Sequence, residues 1–185
     1  MSPVHRKRRE AFDLPGHAHC LTYSCAARLP LLSSDRTCQW VVKSIVTARD
    51  RNEFDVYAYV IMPEHVHLLV RPRSATYKIS KFLYDLKRPV SRKAKTQLMS
   101  EGHTVWVERL TVLRAGKPTF RFWLPGGGFD RNVVHQQALK NMAEYMHANP
   151  VRRGLVRSPL DWKWSSASFY AGKSDVPLRM DALPL

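Results

Sequence analysis

The spacing of hydrophobic and polar positions changes several times along the chain, and each change predicts an element. His17 to Leu32 is rich in strand formers, with Leu21, Thr22 and Tyr23 at its centre and a proline-bearing turn at its end, and reads as a first strand. From Asp35 to Arg49 the period lengthens. Trp40, Val41, Ile45 and Ala48 recur at helical spacing behind Ser34 or Asp35 as a cap, the pattern of an amphipathic helix. Phe54 to Met62 and His65 to Val70 are apolar runs on either side of Pro63-Glu64, which predicts two strands and a tight turn, placed in the middle of a sheet. Tyr77 to Gln97 carries Ile79, Phe82, Leu83 and Leu86 on one helical stripe, with Pro89 expected to kink or split the helix.

Beyond Gln97 the pattern weakens. Val105, Val107, Val112, Phe120 and Phe122 suggest one or two further strands between Thr104 and Trp123, with Pro118 limiting pairing there. Leu124 to Phe129 contains three consecutive glycines and reads as a loop, because their backbone entropy is too costly inside an element. A last helix is expected from Val133 to Ala148, stopped by Asn149-Pro150. The series predicts an α+β fold, a ferredoxin-like antiparallel sheet with helices packed on it. Residues 1–16 read as a basic flexible arm, 17–150 as one domain, and 151–185 as a wrap-around tail.

Composition narrows the partner. Thirty Lys and Arg against fifteen Asp and Glu give a formal charge of +15 and a pI near 10.2, more than solubility requires, so a polyanion is expected. Seven basic residues, Lys78, Lys81, Lys87, Arg88, Arg92, Lys93 and Lys95, lie on the Tyr77–Gln97 helix beside a single acid, Asp85. They read either as a nucleic-acid contact or as a solvated face. No apolar run approaches the roughly 20 residues that cross a bilayer, so no membrane role and a cytoplasmic location are expected. Cys20, Cys25 and Cys38 lack a CxxC spacing and read as packing residues in a reduced compartment.

Two constellations could carry chemistry. His65 and His67 are two apart on a strand, so both imidazoles share one face while Val66, Leu68 and Val70 point the other way. They make half a metal site, or two strand histidines with no ligand. His17 and His19 have the same spacing, and spacing alone does not choose between the pairs. On the last helix Leu139, Met142, Tyr145, Met146 and Asn149 share a stripe, with Tyr145 and Asn149 one turn apart. The tyrosine is either a core residue or an active one. Other chemistries fare worse: the acids are scattered, Gly126-Gly127-Gly128 lacks the Lys-Ser/Thr of a P-loop, and no local motif marks a nucleophilic cysteine.

Pro63-Glu-His65-Val-His67, followed by Tyr145-Met-His-Ala-Asn149-Pro-Val-Arg-Arg-Gly154, resembles the REP-associated tyrosine transposases, a branch of the single-tyrosine HUH transposases. Thr22-Tyr-Ser24 and Asp161-Trp-Lys-Trp-Ser-Ser166 add to the resemblance, which covers about His17 to Tyr170. It implies a ferredoxin-like domain in which His65 and His67 hold a divalent metal, magnesium or manganese, with Asn149 in the place of a third, amide ligand. It implies Tyr145 as the nucleophile on a DNA phosphate, leaving a 5′-phosphotyrosine near a hairpin in single-stranded DNA. Lys78, Lys81, Lys87, Arg88, Arg92 and Lys93, with Arg152 and Arg153 beside the last helix, are the expected DNA contacts. Trp123 to Asn132 departs from the branch's Trp-Gln-aromatic pattern, which leaves the DNA path and the role of the Gly126–Gly128 loop open. A monomer or a homodimer is compatible with one tyrosine per chain. A domesticated DNA- or RNA-hairpin-binding module without catalysis is the alternative on the same fold.

Overall fold

The computed structural model describes residues 13–183, so residues 1–12 of the expected basic arm lie outside the described residues. The chain runs β1 (Ala18–Ser24), a short 3-10 turn, α1 (Asp35–Asn52), β2 (Phe54–Met62), β3 (His65–Pro72) and α2 (Ile79–Ser100). It continues with α3 (Thr104–Arg109), β4 (Thr111–Arg114), β5 (Lys117–Phe120), β6 (Phe129–Val133), α4 (Gln136–His147), α5 (Asn149–Arg152) and α6 (Ala167–Tyr170). Four strands form one antiparallel sheet in the order β2-β3-β1-β6, with β3 inserted between β1 and β2 as in ferredoxin-like arrangements.

Strand alternation divides the core. Leu21 and Tyr23 of β1, Tyr59 and Ile61 of β2, and Val66, Leu68 and Val70 of β3 meet Val41 and Ile45 of α1 and Phe82, Leu83 and Leu86 of α2. The opposite face carries Ala18 and Cys20 of β1, Ala58 and Val60 of β2 and Leu69 of β3, closed by Leu139, Ala143 and Met146 of α4. Each cluster is buried and apolar, and together they account for the sheet's burial on both sides. Ser34 caps α1, accepting a bond from the Thr37 amide.

Several expectations are corrected. The Phe54–Val70 hairpin is not central as a whole: β3 is interior, but β2 is an outer strand whose free edge is taken by the tail. The Ile61 amide donates to Trp164 O at 2.8 Å, the Ser166 amide to Tyr59 O at 3.0 Å, and the Asp181 amide to Val56 O at 3.0 Å. The indoles of the tail add to this, Trp162 Nε1 donating to Ile61 O and Trp164 Nε1 to Asp35, both at 2.9 Å. Val105 and Val107 are helical in α3, where tertiary context overrides their strand preference. The strands of the weak region form a separate two-stranded sheet, β4-β5, with Pro118 opposite Leu113.

Pro89 neither splits nor ends α2. Its missing N–H leaves the Asp85 carbonyl without its helical donor, while the next two carbonyls, Leu86 and Lys87, take outside donors, the Ser44 hydroxyl and Trp123 Nε1. The last helix starts at Gln136 because the preceding residues form the edge strand β6, which the polar sequence Phe129-Asp-Arg-Asn-Val133 gives no sign of.

The triple-glycine segment is a bulge against β1. Trp123 and Leu124 pair with Cys25 and Ser24, and Phe129 resumes pairing at Thr22. Gly128 sits at φ +79°, and a Cβ there would lie 2.1 Å from Thr22 O. Gly128→Ala is expected to destabilise the protein by about 2 kcal/mol or more, from both the left-handed backbone and the clash. Gly127→Ala, whose Cβ meets only Leu83 Cδ1 at 3.8 Å, is expected to cost much less. Urea unfolding of the two variants checks this; equal midpoints would contradict the close approach.

Candidate active site

The register of β1 on β3 sets Thr22 opposite His67 and Ser24 opposite His65, on the sheet face that α4 covers. The two imidazoles turn toward each other, with Nε2 to Nε2 at 2.9 Å and ring centroids 4.6 Å apart. Their outer nitrogens are both partnered: His67 Nδ1 lies 2.8 Å from Thr22 Oγ1 and His65 Nδ1 lies 3.2 Å from Glu64 Oε1. Two proton arrangements satisfy these contacts: one Nε2–H donates to the other Nε2, or, since both outer partners can accept, a proton on each Nδ1 leaves both Nε2 lone pairs converging on one point.

In the second arrangement the two facing lone pairs repel unless an electrophile lies between them. Two ligands about 2.1 Å from one octahedral ion, at right angles, stand about 3 Å apart. The donor set therefore fits a divalent cation. Burial, then the neighbouring His65 and the Arg152 guanidinium, push the His67 pKa down to about 3. Burial also lowers that of His65, against the opposing pull of Glu64. Both rings are thus held in the neutral form a ligand needs. Among the described residues no cluster of three His, Cys, Asp and Glu side chains could hold an ion. An ion held by the two imidazoles would need its further ligands from an amide, water or substrate oxygen.

Tyr145 is not a core residue. It is 57% exposed at the end of α4, and it shares an open groove of about 530 Å³ with His67, Thr22, Phe129, Arg131 and Asn141. The Arg152 guanidinium lies 3.9 Å from the Tyr145 ring centre, and its Nη2 donates to Tyr145 O at 3.1 Å and to Asn149 Oδ1 at 2.9 Å. Asn149 in turn donates from Nδ2 to Met146 O at 3.1 Å and to Tyr145 O at 3.3 Å. It closes the C-terminal end of α4, and its carbonyl oxygen already has a cationic partner. Arg153 Nη1 pairs with Glu64 Oε1 at 2.9 Å, which ties the segment after α4 to the turn that introduces His65.

Other expected residues fall elsewhere. α2 packs on the opposite face of the sheet from α4, so its basic side chains do not border the tyrosine groove. Lys78, Arg88, Arg92 and Lys93 are exposed. Lys81 is exposed too, with Nζ donating to Asn52 and Asp85. Lys87 corrects the expectation of a uniformly outward basic face. It turns inward over the Tyr23 ring, donates to Gly126 O at 2.8 Å, and its pKa is pushed down to about 8 by burial. His17 and His19 do not form a second pair of facing imidazoles. His19 is buried, with Nδ1 on Asp130 at 2.9 Å and Nε2 on the Tyr77 hydroxyl at 2.8 Å, whereas His17 meets Asn132. The three cysteines are buried and unbonded to one another, and burial raises each thiol to about 11 or 12, which suits packing and not nucleophilic attack.

Sequence reasoning missed the supporting contact from Thr22, which only the strand register reveals. It also missed the Arg152 contact with Tyr145, for which the seven-residue separation along two successive helices gives no simple signal.

The family model described as transposase IS200 like matches residues 17–121, more than half of this 185-residue chain. The chain belongs to the IS200-like transposase family. The matched segment of this transposase contains Thr22, His65 and His67 and ends before Tyr145. A Haemophilus influenzae protein classed as a REP-associated tyrosine transposase is 29% identical over 114 residues, 61% of this chain and 58% of the relative. The match thus spans less than two thirds of that relative's length. The solved structure of a REP-associated tyrosine transposase bound to a REP hairpin superposes with a TM-score of 0.65 at 18% identity, covering 100% of this chain and 95% of the other. That likeness bears on the fold. A Deinococcus radiodurans transposase structure aligns at 16% identity over 77% of this chain and 95% of its own, with a TM-score of 0.45.

The depressed pKa values set a pH dependence. A folded-state value below the unfolded value, about 6.5 for histidine, means the unfolded chain binds the extra proton first as pH falls. The stability from neutral His67, and from His147 whose pKa burial lowers to about 4, is therefore fully present above about pH 6.5 and lost on acidification. Each histidine that stays neutral in the fold contributes a slope of about 1.4 kcal/mol per pH unit below about 6.5. Unfolding free energies measured between pH 7 and 4 are expected to fall more steeply for the wild type than for His67→Gln. Parallel profiles would show that His67 is not held neutral.

Proposed function

We propose that this transposase nicks and rejoins single-stranded DNA near hairpins, in a divalent-metal-dependent reaction that passes through a covalent phosphotyrosine at Tyr145. The observation that carries this reading is the exposed Tyr145 at the rim of the groove that His67 lines. Hairpin DNA as the substrate class draws on the hairpin-bound structural neighbour and on the REP-associated relative.

In the first step the Tyr145 hydroxyl oxygen attacks a backbone phosphorus. A phosphorus–oxygen bond to tyrosine forms, the bond from phosphorus to the 3′ oxygen breaks, the phenolic proton passes to solvent, and the leaving 3′ oxygen takes a proton from solvent to become a hydroxyl. The 5′ side of the break stays on the protein. The phosphodiester is conserved in the linkage, so attack by a 3′ hydroxyl reverses the step without a nucleotide cofactor. Magnesium or manganese held by His65 and His67, with Asn149 as a further ligand, would polarise the non-bridging phosphate oxygen and offset charge in the transition state. In the ligating tautomer Thr22 and Glu64 would accept from the two Nδ1–H groups and hold the rings in place. Arg152, against the phenol ring, fixes the tyrosine at the groove rim and places positive charge where phenolate develops. Arg152 and Arg153 are also the groove's phosphate contacts in this reading.

Arg152 adds positive charge beside His67, whereas beside His65 the Glu64 carboxylate opposes the guanidinium groups of Arg153 and Arg28.

One contact favours the second reading, a hairpin-binding module without chemistry: Arg152 already holds the Asn149 oxygen, and it must give up that bond or share it for Asn149 to ligate an ion. A denaturing gel of end-labelled hairpin-bearing DNA, with manganese or EDTA, separates the readings. A manganese-dependent covalent band that disappears in Tyr145→Phe is expected. Salt-sensitive binding with no adduct would leave the binding module.

Thr22→Val removes the acceptor on His67 Nδ1 while keeping the shape of the side chain. It is expected to weaken manganese binding about tenfold in the DNA-bound Tyr145→Phe protein, the usual cost of losing an outer-shell partner. Calorimetric titration reads this directly, and an unchanged affinity would exclude His67 as a ligand held in this tautomer.

A further inference from the structure

A second surface, remote from the tyrosine groove, has the chemistry of a nucleic-acid track. α1 and α2 lie side by side on the sheet face opposite α4, and two open depressions of about 620 and 450 Å³ run along their outer side. Trp40 and Gln97 line both, so the two adjoin. Three aromatic side chains mark the path: Tyr84, 54% exposed, in the first depression, half-buried Trp40 at the junction, and Trp106, 37% exposed, in the second.

The charges follow the aromatics. Arg88 lies 5.3 Å from the Tyr84 ring centre and Arg109 lies 5.0 Å from that of Trp106. Arg92 and Lys93 line the first depression and are exposed. The two acids on the track are already engaged. Asp85 takes bonds from Asn52 and Lys81, and Glu101 bonds Arg36 and Gln97. A hydrophobic partner would be expected to meet an apolar face, and a double helix to meet cations without upright rings. Cations interleaved with exposed rings suit a backbone of phosphates carrying bases that are free to stack.

We infer that the α1–α2 groove binds an unpaired DNA strand, with bases stacking on Tyr84, Trp40 and Trp106 and phosphates held by Arg88, Arg92 and Lys93. The proposed reaction is confined to the other face of the sheet. This groove therefore holds DNA outside the scissile segment, and one chain engages single-stranded DNA on both faces. The half-buried, inward-turned Lys87 is not part of the track. The inference goes beyond the nicking reaction and is read without it, since binding in EDTA involves no chemistry.

The test is fluorescence anisotropy of a labelled 20-nucleotide oligothymidylate with the full chain in EDTA, over a range of salt concentrations, alongside a blunt duplex of the same length. Tyr84→Ala is expected to weaken oligothymidylate binding about tenfold and duplex binding little. Arg92→Gln with Lys93→Gln is expected to reduce the salt slope of the affinity by about 1.4, since each phosphate left without its cation on a single strand lowers the slope by about 0.7. Lys173→Gln, an exposed tail position that lines neither groove, is expected to bind as the wild type does. Unchanged affinity and salt slope in the α2 variants would overturn the inference, as would a Tyr84→Ala defect that is equal for strand and duplex. Neither result bears on whether Tyr145 forms an adduct.

Discussion

The site depends on one pairing, β1 against β3 in the register that sets Thr22 opposite His67. A slip of one residue would turn His65 and His67 into the core face and bring Val66 and Leu68 out to the groove. The register is held by burial on both sides of the sheet, since Leu21, Leu68 and Val70 fill one core and Cys20 and Leu69 the other. The Gly-rich bulge presses on the same point, with Gly128 against Thr22 O. The hydroxyl that orients His67 is therefore fixed from both neighbouring strands.

α4 gives the second half of the site. Its Leu139, Ala143 and Met146 bury against the sheet while Tyr145, on the margin of that stripe, stays in the groove. The tail locks the end of this helix, His147 Nε2 meeting Ser166 Oγ at 2.7 Å where Ser166 also bonds the backbone of β2. The tyrosine and the histidine pair are thus carried by regular elements, with Arg152 and Arg153 bridging the helix end to Tyr145 and Glu64. Helices on both faces leave cationic surface on both, which is how a net charge of +15 is spread over a small fold.

Strong periodicity made α1, β2, β3 and α2 legible, and strand alternation alone put His65 and His67 on one face. β6 was not legible, because an edge strand with one paired side can be as polar as Phe129-Asp-Arg-Asn-Val133. α3 was misread because Val105 and Val107 alternate like strand residues yet lie in a short helix packed against α2. Spacing could not choose between the His17/His19 and His65/His67 pairs; the structure does, since His19 is enclosed by Asp130 and Tyr77. Tyr145 and Asn149 were placed on one helix face, but the sequence pattern does not show that Arg152, three residues on within α5, takes up the Asn149 oxygen. Lys87 shows the same limit: one residue of a basic stripe turns inward because a glycine carbonyl lies within reach.

The central claim is that His65 and His67 present converging Nε2 lone pairs to one divalent ion. Electron–nuclear double resonance of manganese, bound with DNA to Tyr145→Phe protein labelled with ¹⁵N-histidine, reports the directly coordinated nitrogens. Coupling from two imidazoles that is lost in His67→Gln and kept in His17→Gln is the expected result. Absence of any ¹⁵N coupling, or coupling that follows His17, would contradict the account.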